Sequence, residues 1–354
     1  MPATRRRSLP FRDWPKTDQD LWRMVIAKGD LLDGSGPGAA WASSTKDNTR
    51  KAYGYWLCWM AQTHGLSEPP LDRITPTRIK AYIDNLNGDV TSSTTFTYIL
   101  DLLRFAKSAA PERDWAWFNV IKNRLWARSK PAKDKTSKIR AAKDLFNLGI
   151  ELMSQAHKVR SRYNPFAAPQ QFRDGLMIAI LAARPIRLKN LAAIEIGRHL
   201  VRSDSLYRLR FGADEVKNRK PIEVPLPRDL TPWLEAYITV HRTILLGRTV
   251  SSRLWISRSG TPLSDSVIRH HIKKHTRAAF GEAMTPHLFR DCAATSIAIE
   301  DPGHVRIAAS ILGHHTLATT QRYYDQSRML EACRIHQSTV ARIRQGIHRQ
   351  SRGS

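Results

Sequence analysis

The sequence predicts a mostly α protein with a small β-sheet, divided into two domains. A chain of 354 residues is too long for one small domain and sufficient for two separate cores. Apolar residues recur at helical spacing along most of the chain. Alternation typical of strands is confined to Leu206 to Phe211 and Ile222 to Leu226, which face each other across a polar stretch, with one further short strand expected at 254–257.

Residues 1–40 begin with Arg5, Arg6 and Arg7 and continue into Pro and Gly punctuation at Gly34, Gly36, Pro37 and Gly38, which reads as a basic arm, partly ordered at best. A helical domain follows over 41–127. Its first helix carries Tyr53, Trp56, Leu57 and Met60, and its second opens with Thr75 as cap and Pro76 at the first position. A third carries Phe96, Ile99, Leu100 and Leu103, and a fourth occupies 114–126. The tryptophans and tyrosines here read as core. Residues 128–138 are basic, without large apolar side chains, and form a linker. The second domain, 139–326, has helices expected near 170–183, 229–246, 264–279, 287–299 and 303–312, around a hairpin whose loop holds Lys217, Asn218, Arg219 and Lys220. Residues 327–354 carry Leu330, Cys333, Val340, Ile343 and Ile347 at helical spacing and form a C-terminal helix and tail.

Composition narrows the function. Lysine and arginine number 57 against 31 acidic residues, a net charge of +26 that calls for a polyanionic partner. With 42% hydrophobic residues the chain is too apolar for a disordered basic tail. It contains no apolar run of membrane-spanning length and no apolar segment after the opening arginines, so a soluble, cytoplasmic protein is expected. An anionic membrane surface would want an amphipathic basic helix or a lipidation signal, and neither is evident, which leaves a nucleic acid as partner. Cys58, Cys292 and Cys333 lack metal or redox spacing and read as reduced bystanders.

The chemistry follows by exclusion. The sequence shows no clustered carboxylates for a two-metal site and no phosphate-cradling G-x-x-x-x-G-K-[ST] loop. His271 and His275 have the i, i+4 spacing that can ligate zinc, but His270, Lys273 and Lys274 lie beside them, so a phosphate-facing basic helix is expected. Covalent chemistry by a side-chain oxygen remains. In TPHLFRDCAAT, His287 and Arg290 stand at i, i+3, on one helix face. In ILGHHTLATTQRYYD, Gly313 stops a helix before His314, and Tyr323 and Tyr324 follow. Arg187 lies upstream in PIRLKNL, with Lys217 between.

In that order, PIRLKNL, EVKNRKPIEVPL, HLFRDCAAT and LGHHTLATTQRY resemble the signature of the tyrosine recombinase, or phage-type integrase, family across about 139–330. The resemblance implies a helical, SAM-like core-binding domain followed by a mixed α+β catalytic domain. It implies a site-specific DNA recombinase that uses no cofactor, metal or ATP and passes through a 3′-phosphotyrosine intermediate and a Holliday junction. Tyr323 would be the nucleophile. Arg187 and Arg290 would clamp nonbridging oxygens, His287 would accept a proton, Lys217 would act as general acid and His314 would donate a hydrogen bond. Tyr324, His315, Arg184 and Lys220 stay alternatives to Tyr323, His314, Arg187 and Lys217. The partners implied are double-stranded recombination sites and a homo-tetramer on DNA linked by C-terminal helix exchange, with room for accessory proteins. Relaxation of the type IB topoisomerase kind, or DNA binding without catalysis, are the other functions compatible with this fold. Three positions depart from the family pattern: Pro185 where glycine is frequent, Asn190 where an acid is, and Asp291 where histidine is.

Overall fold

The computed structural model describes residues 8–30, 33–129, 136–159, 161–216 and 219–300. The chain divides into two compact units, Met1–Asp134 and Lys135–Ser354.

The first unit is helical: α1 (Lys16–Ile26), α2 (Ser43–Thr63), α3 (Pro76–Asn87), α4 (Ser92–Ala109) and α5 (Ala116–Arg128). As the sequence predicts, the Thr75 hydroxyl accepts from the Arg78 N–H at 3.3 Å at the start of α3, and Pro76 fills the next position, where a missing N–H costs nothing. Thr91 caps α4 in the same way. Trp56, Tyr53, Phe105 and Phe118 are fully buried in a core that also takes Trp14 and Trp22. Trp126 departs from the expectation of a buried aromatic set: it is 65% exposed and rests only its ring against Phe96.

The opening residues differ more. Within the expected loose arm, residues 8–30 are folded, with α1 burying Asp18, Trp22 and Val25 on one stripe. An acid in the apolar stripe hides this helix from a hydrophobicity pattern. Asp18 is tolerated there because Arg73 Nη2 lies 2.6 Å from one carboxylate oxygen and the Tyr53 hydroxyl donates to the other at 2.5 Å. The segment lies so close to α2 that a Cβ on Gly54 would sit 2.7 Å from the Leu9 carbonyl oxygen.

The second unit comprises α6 (Ala142–Ser154), α7 (Ala167–Ala183), α8 (Leu188–Ala193), α9 (Thr231–Ala236), α10 (Arg242–Leu246), α11 (Asp265–Phe280) and α12 (Pro286–Glu300). The sheet has strands β1 (Leu200–Ser203), β2 (Leu206–Phe211) and β3 (Ile222–Pro225), antiparallel in the order β1-β2-β3. α7 is buried along nearly its whole length, from Phe172 to Ala182. It approaches α6 closely at paired glycines, where a Cβ on Gly149 would sit 2.7 Å from the Gly175 carbonyl oxygen. A π-helical segment, Tyr237–His241, joins α9 to α10, so the single helix expected over 229–246 is one continuous run with a local widening.

The expected β2–β3 pairing is present, with Phe211 opposite Ile222. β1 is additional. Its two-residue turn to β2 uses Asp204 at φ 53°, a left-handed conformation that aspartate tolerates but that lacks the usual glycine signal. The strand expected at 254–257 is absent; only isolated bridges form, at Arg253 and Ile256. Its apolar run is buried instead, with the Trp255 indole donating to the Leu191 carbonyl at 2.8 Å. At the end of the expected linker, Lys138 pairs with Glu282 at 2.8 Å within the second unit. The helix expected over 303–312 and the C-terminal helix lie outside the described residues.

Candidate active site

Arg187 is positioned by the way α7 ends. Arg184 adopts an extended conformation, as a residue before proline should, and Pro185 cannot continue the helix. The chain turns at once into α8, whose N-cap is Arg187, with the Leu191 N–H donating to the Arg187 carbonyl at 2.9 Å. Ile186 and Leu191 are buried on either side, so the half-buried Arg187 side chain springs from a fixed backbone.

Arg290 comes from the second turn of α12, where Leu288, Phe289 and Cys292 anchor the helix in the core. Only 6% exposed, it donates from Nη1 to the Pro185 carbonyl at 2.6 Å. Proline keeps the carbonyl that this bond needs, so the departure from glycine at 185 is compatible with the contact. The same bond ties Arg290 to the turn that presents Arg187. Burial, reinforced by the positive Arg187 nearby, pushes the Arg290 guanidinium down to about 10, against the opposing pull of Asp291. The two guanidinium groups therefore share a field that is positive on balance, which is what a phosphate oxygen would lower.

His287 is exposed on the first turn of α12, three residues before Arg290 and on the same face. The opposite face holds α12 to the start of α6. Ser296 Oγ accepts from the Ala142 N–H at 2.8 Å, and Cys292 Sγ from the Arg140 N–H at 3.4 Å. These bonds occupy backbone donors at a helix start that lacks partners of its own. Burial pushes the Cys292 thiol up to about 11, in keeping with a bystander rather than a nucleophile.

Arg184, the alternative to Arg187, is committed elsewhere: its Nε donates to the Pro225 carbonyl at 2.9 Å and its Nη1 to the Ala183 carbonyl at 2.9 Å. Lys217, His314 and Tyr323, with the alternatives His315 and Tyr324, lie outside the described residues. The start of the Lys217 loop is described, and it is braced by residues that sequence reasoning missed. The Glu195 N–H donates to His199 Nδ1 at 3.1 Å, which leaves the ring proton on Nε2 to donate to Glu215 at 2.9 Å. Glu215 also accepts from the Gly212 N–H at 2.8 Å, and its carboxyl is held below the usual range, chiefly by the His199 bond. Val216, immediately before Lys217, is buried.

His271 and His275 correct an expectation. They do not face outward toward a phosphate but turn inward to Asp174 of α7, while His270, Lys273 and Lys274 keep the exposed face. Among the described residues no helix is long and apolar enough to cross a membrane.

Residues 150–329 match the phage integrase family. A tyrosine recombinase XerD of Pseudomonas aeruginosa is 32% identical over 158 residues, covering 44% of this chain and 50% of the relative. XerD of Vibrio cholerae is 28% identical over 189 residues, covering 52% and 57%. The chain thus spans about half the length of the curated relatives it matches. Among solved structures, the XerH site-specific recombinase in a post-cleavage complex with palindromic difH substrate aligns with a TM-score of 0.56 at 15% identity, over 83% of this chain and 79% of that one. A lambda integrase dimer bound to a COC′ core site aligns with a TM-score of 0.50 at 17% identity, over 81% and 90%. At these identities the likeness establishes the fold, mostly helical with a small sheet.

Proposed function

The chain belongs to the phage integrase family, and on that footing we propose that it is a site-specific DNA recombinase that cuts and rejoins strands through Tyr323. The observation that carries this reading is the convergence of Arg187 and Arg290 in one positive field, with His287 one turn from Arg290.

In this mechanism the Tyr323 oxygen attacks a scissile phosphorus while the bond from phosphorus to the 5′-oxygen breaks. The phenol proton passes to His287, since a phenol with an ordinary pKa near 10 is a weak nucleophile at neutral pH. Arg187 and Arg290 hold the nonbridging oxygens as negative charge builds, and His314 adds a hydrogen bond. The departing 5′-alkoxide, a stronger base than phenolate, takes a proton from Lys217. The phosphotyrosine conserves the bond, so a 5′-hydroxyl from another strand reverses the step without ATP and resolves through a Holliday junction. The helical unit over 41–127 contributes to binding the duplex as a core-binding domain. Residues 327–354 dock on a neighbouring protomer to assemble a tetramer on the recombination site.

The test is an adduct assay. The protein is incubated with a nicked duplex carrying its cognate site, from which the cleaved 5′-end diffuses away. A denaturation-resistant protein–DNA adduct is expected in the wild type and in Tyr324→Phe, and none in Tyr323→Phe. An adduct that survives Tyr323→Phe and vanishes in Tyr324→Phe moves the nucleophile. Absence of an adduct from every protein tested, with DNA binding intact, overturns the proposal. Supercoil relaxation without recombinant products would favour the topoisomerase reading.

A further inference from the structure

The strand-exchange chemistry makes no use of the cluster at the crossing of α7 and α11, where Asp174 meets two histidines. His271 and His275 stand one turn apart on α11, on the edge of the stripe that buries Ile268, Ile272 and Thr276. His271 Nδ1 lies 2.7 Å from Asp174 Oδ2, and His275 Nε2 lies 3.0 Å from the same oxygen. The three potential ligand atoms all fall within 4.8 Å of one another. Two ring donors converging on one carboxylate oxygen surround a point that a cation could occupy in place of the two protons. We propose that Asp174, His271 and His275 bind one divalent cation of the zinc class, bracing α7 against α11.

The donor set suits such an ion. Two imidazole nitrogens and one carboxylate oxygen match zinc, cobalt(II) or nickel(II), and water completes the shell. Ligands at about 2.0–2.2 Å in a tetrahedron stand about 3.3–3.6 Å apart, so Oδ2 would move away from His275 by about 0.3–0.6 Å and from His271 by about 0.6–0.9 Å, within reach of side-chain rotation. The carboxylate is already oriented from behind. Arg173 donates from Nε and Nη2 to Asp174 Oδ1 at 3.0 and 2.7 Å, and from Nη1 to the Ile256 carbonyl at 2.7 Å. That leaves Oδ2 for the ion, and a hydrogen-bonded carboxylate of this kind is a common outer support of metal sites. Access is also present: the Asp174 side chain is 4% exposed, whereas those of His271 and His275 are 21% and 12% exposed, which opens one side to water.

Two features weigh against a cation. Arg173 holds a permanent positive charge beside the carboxylate, which tempers affinity without blocking Oδ2. The His270 ring lies against that of His271 and Lys274 stands one turn beyond His271, but both are exposed, as is Lys273, so water and salt screen their charges. The ion would have no part in phosphoryl transfer; it would fix the helix that leads into the Arg187 turn.

The test uses the full chain without a histidine tag, stripped with a chelator and titrated with cobalt(II). A visible absorption band that saturates at one equivalent and is displaced by zinc is expected, and it should be lost in His271→Asn and in His275→Asn. The zinc-loaded wild type should also melt at a higher temperature than the stripped protein, a shift absent from both variants. A missing band, or a band of equal strength in both variants, overturns the proposal. Should the variants fail the far-ultraviolet circular dichroism check for folding, zinc K-edge absorption of the wild type decides. Two imidazoles with oxygen donors support the site, whereas a sulfur shell or a single imidazole rejects it.

Discussion

Each unit buries a matched ion pair, Asp18–Arg73 in the first and Asp174–Arg173 in the second, but the candidate site of the second unit handles charge differently. In the first, Asp18, Arg73 and the Tyr53 hydroxyl form a matched set: the Asp18 and Arg73 side chains are wholly buried and the negative charge is matched by the positive one. In the second, Arg187 and Arg290 bring like charges together, and burial and mutual repulsion outweigh the opposing Asp291. A matched buried pair is tolerable to a fold, whereas a surplus of one sign is a standing cost. The first arrangement is therefore that of a structural core. The second is the arrangement expected of a site that receives a negatively charged group, which under the proposed function is a phosphodiester.

The largest effect expected on either side of this contrast is in the first unit. Asp18→Ala leaves the Arg73 guanidinium buried without its carboxylate and should cost about 3–5 kcal/mol in urea unfolding, much of which Asp18→Ala combined with Arg73→Met should restore. A single-variant cost below about 1 kcal/mol would remove the first half of the comparison. Next comes Arg187→Lys, which keeps the charge but loses the planar fork. Single-turnover adduct formation should slow by about 10²-fold, equivalent to about 2.7 kcal/mol of barrier, with the melting temperature little changed. Ser296→Ala should be smaller, about 1 kcal/mol, because it strands the Ala142 N–H at the start of α6. A subtler effect lies in alkaline pH. The Arg290 guanidinium is held at about 10, well below its ordinary value, so the cost of burying its charge is present in full below about 10 and is relieved as pH rises from there toward the unfolded-state value. Relative to Arg290→Met, the wild type should gain about 1–2 kcal/mol of stability across that interval, after allowance for solvent access.

Much of this contrast was legible in the sequence and part was not, for physical reasons. α3 and α11 announce themselves because local signals, the Thr75 cap with Pro76 and the Ile268–Ile272 stripe, agree with the fold. α1 does not, because Asp18 interrupts its apolar stripe and is explained only by Arg73, 55 residues away. β1 is hidden by a turn built on Asp204 rather than glycine. In the candidate site, side-chain spacing placed His287 and Arg290 on one face, but the bond from Arg290 to the Pro185 carbonyl is invisible because any residue could supply that oxygen. The bracing of Glu215 by His199 likewise depends on the turn that leads into the unforeseen strand. For His271 and His275 the neighbouring lysines misled, since the phase set by Ile268, Ile272 and Thr276 already put both histidines at the edge of the buried stripe.

Replacing Arg290 with methionine tests the central contrast most directly, by measuring the melting temperature without DNA and the single-turnover rate of adduct formation on the same preparation. Adduct formation should fall by about 10³-fold while the melting temperature holds or rises, because the lost charge serves the substrate and burdens the fold. A marked drop in melting temperature with adduct formation retained would mean that Arg290 is a structural cation like Arg73, and would contradict the account.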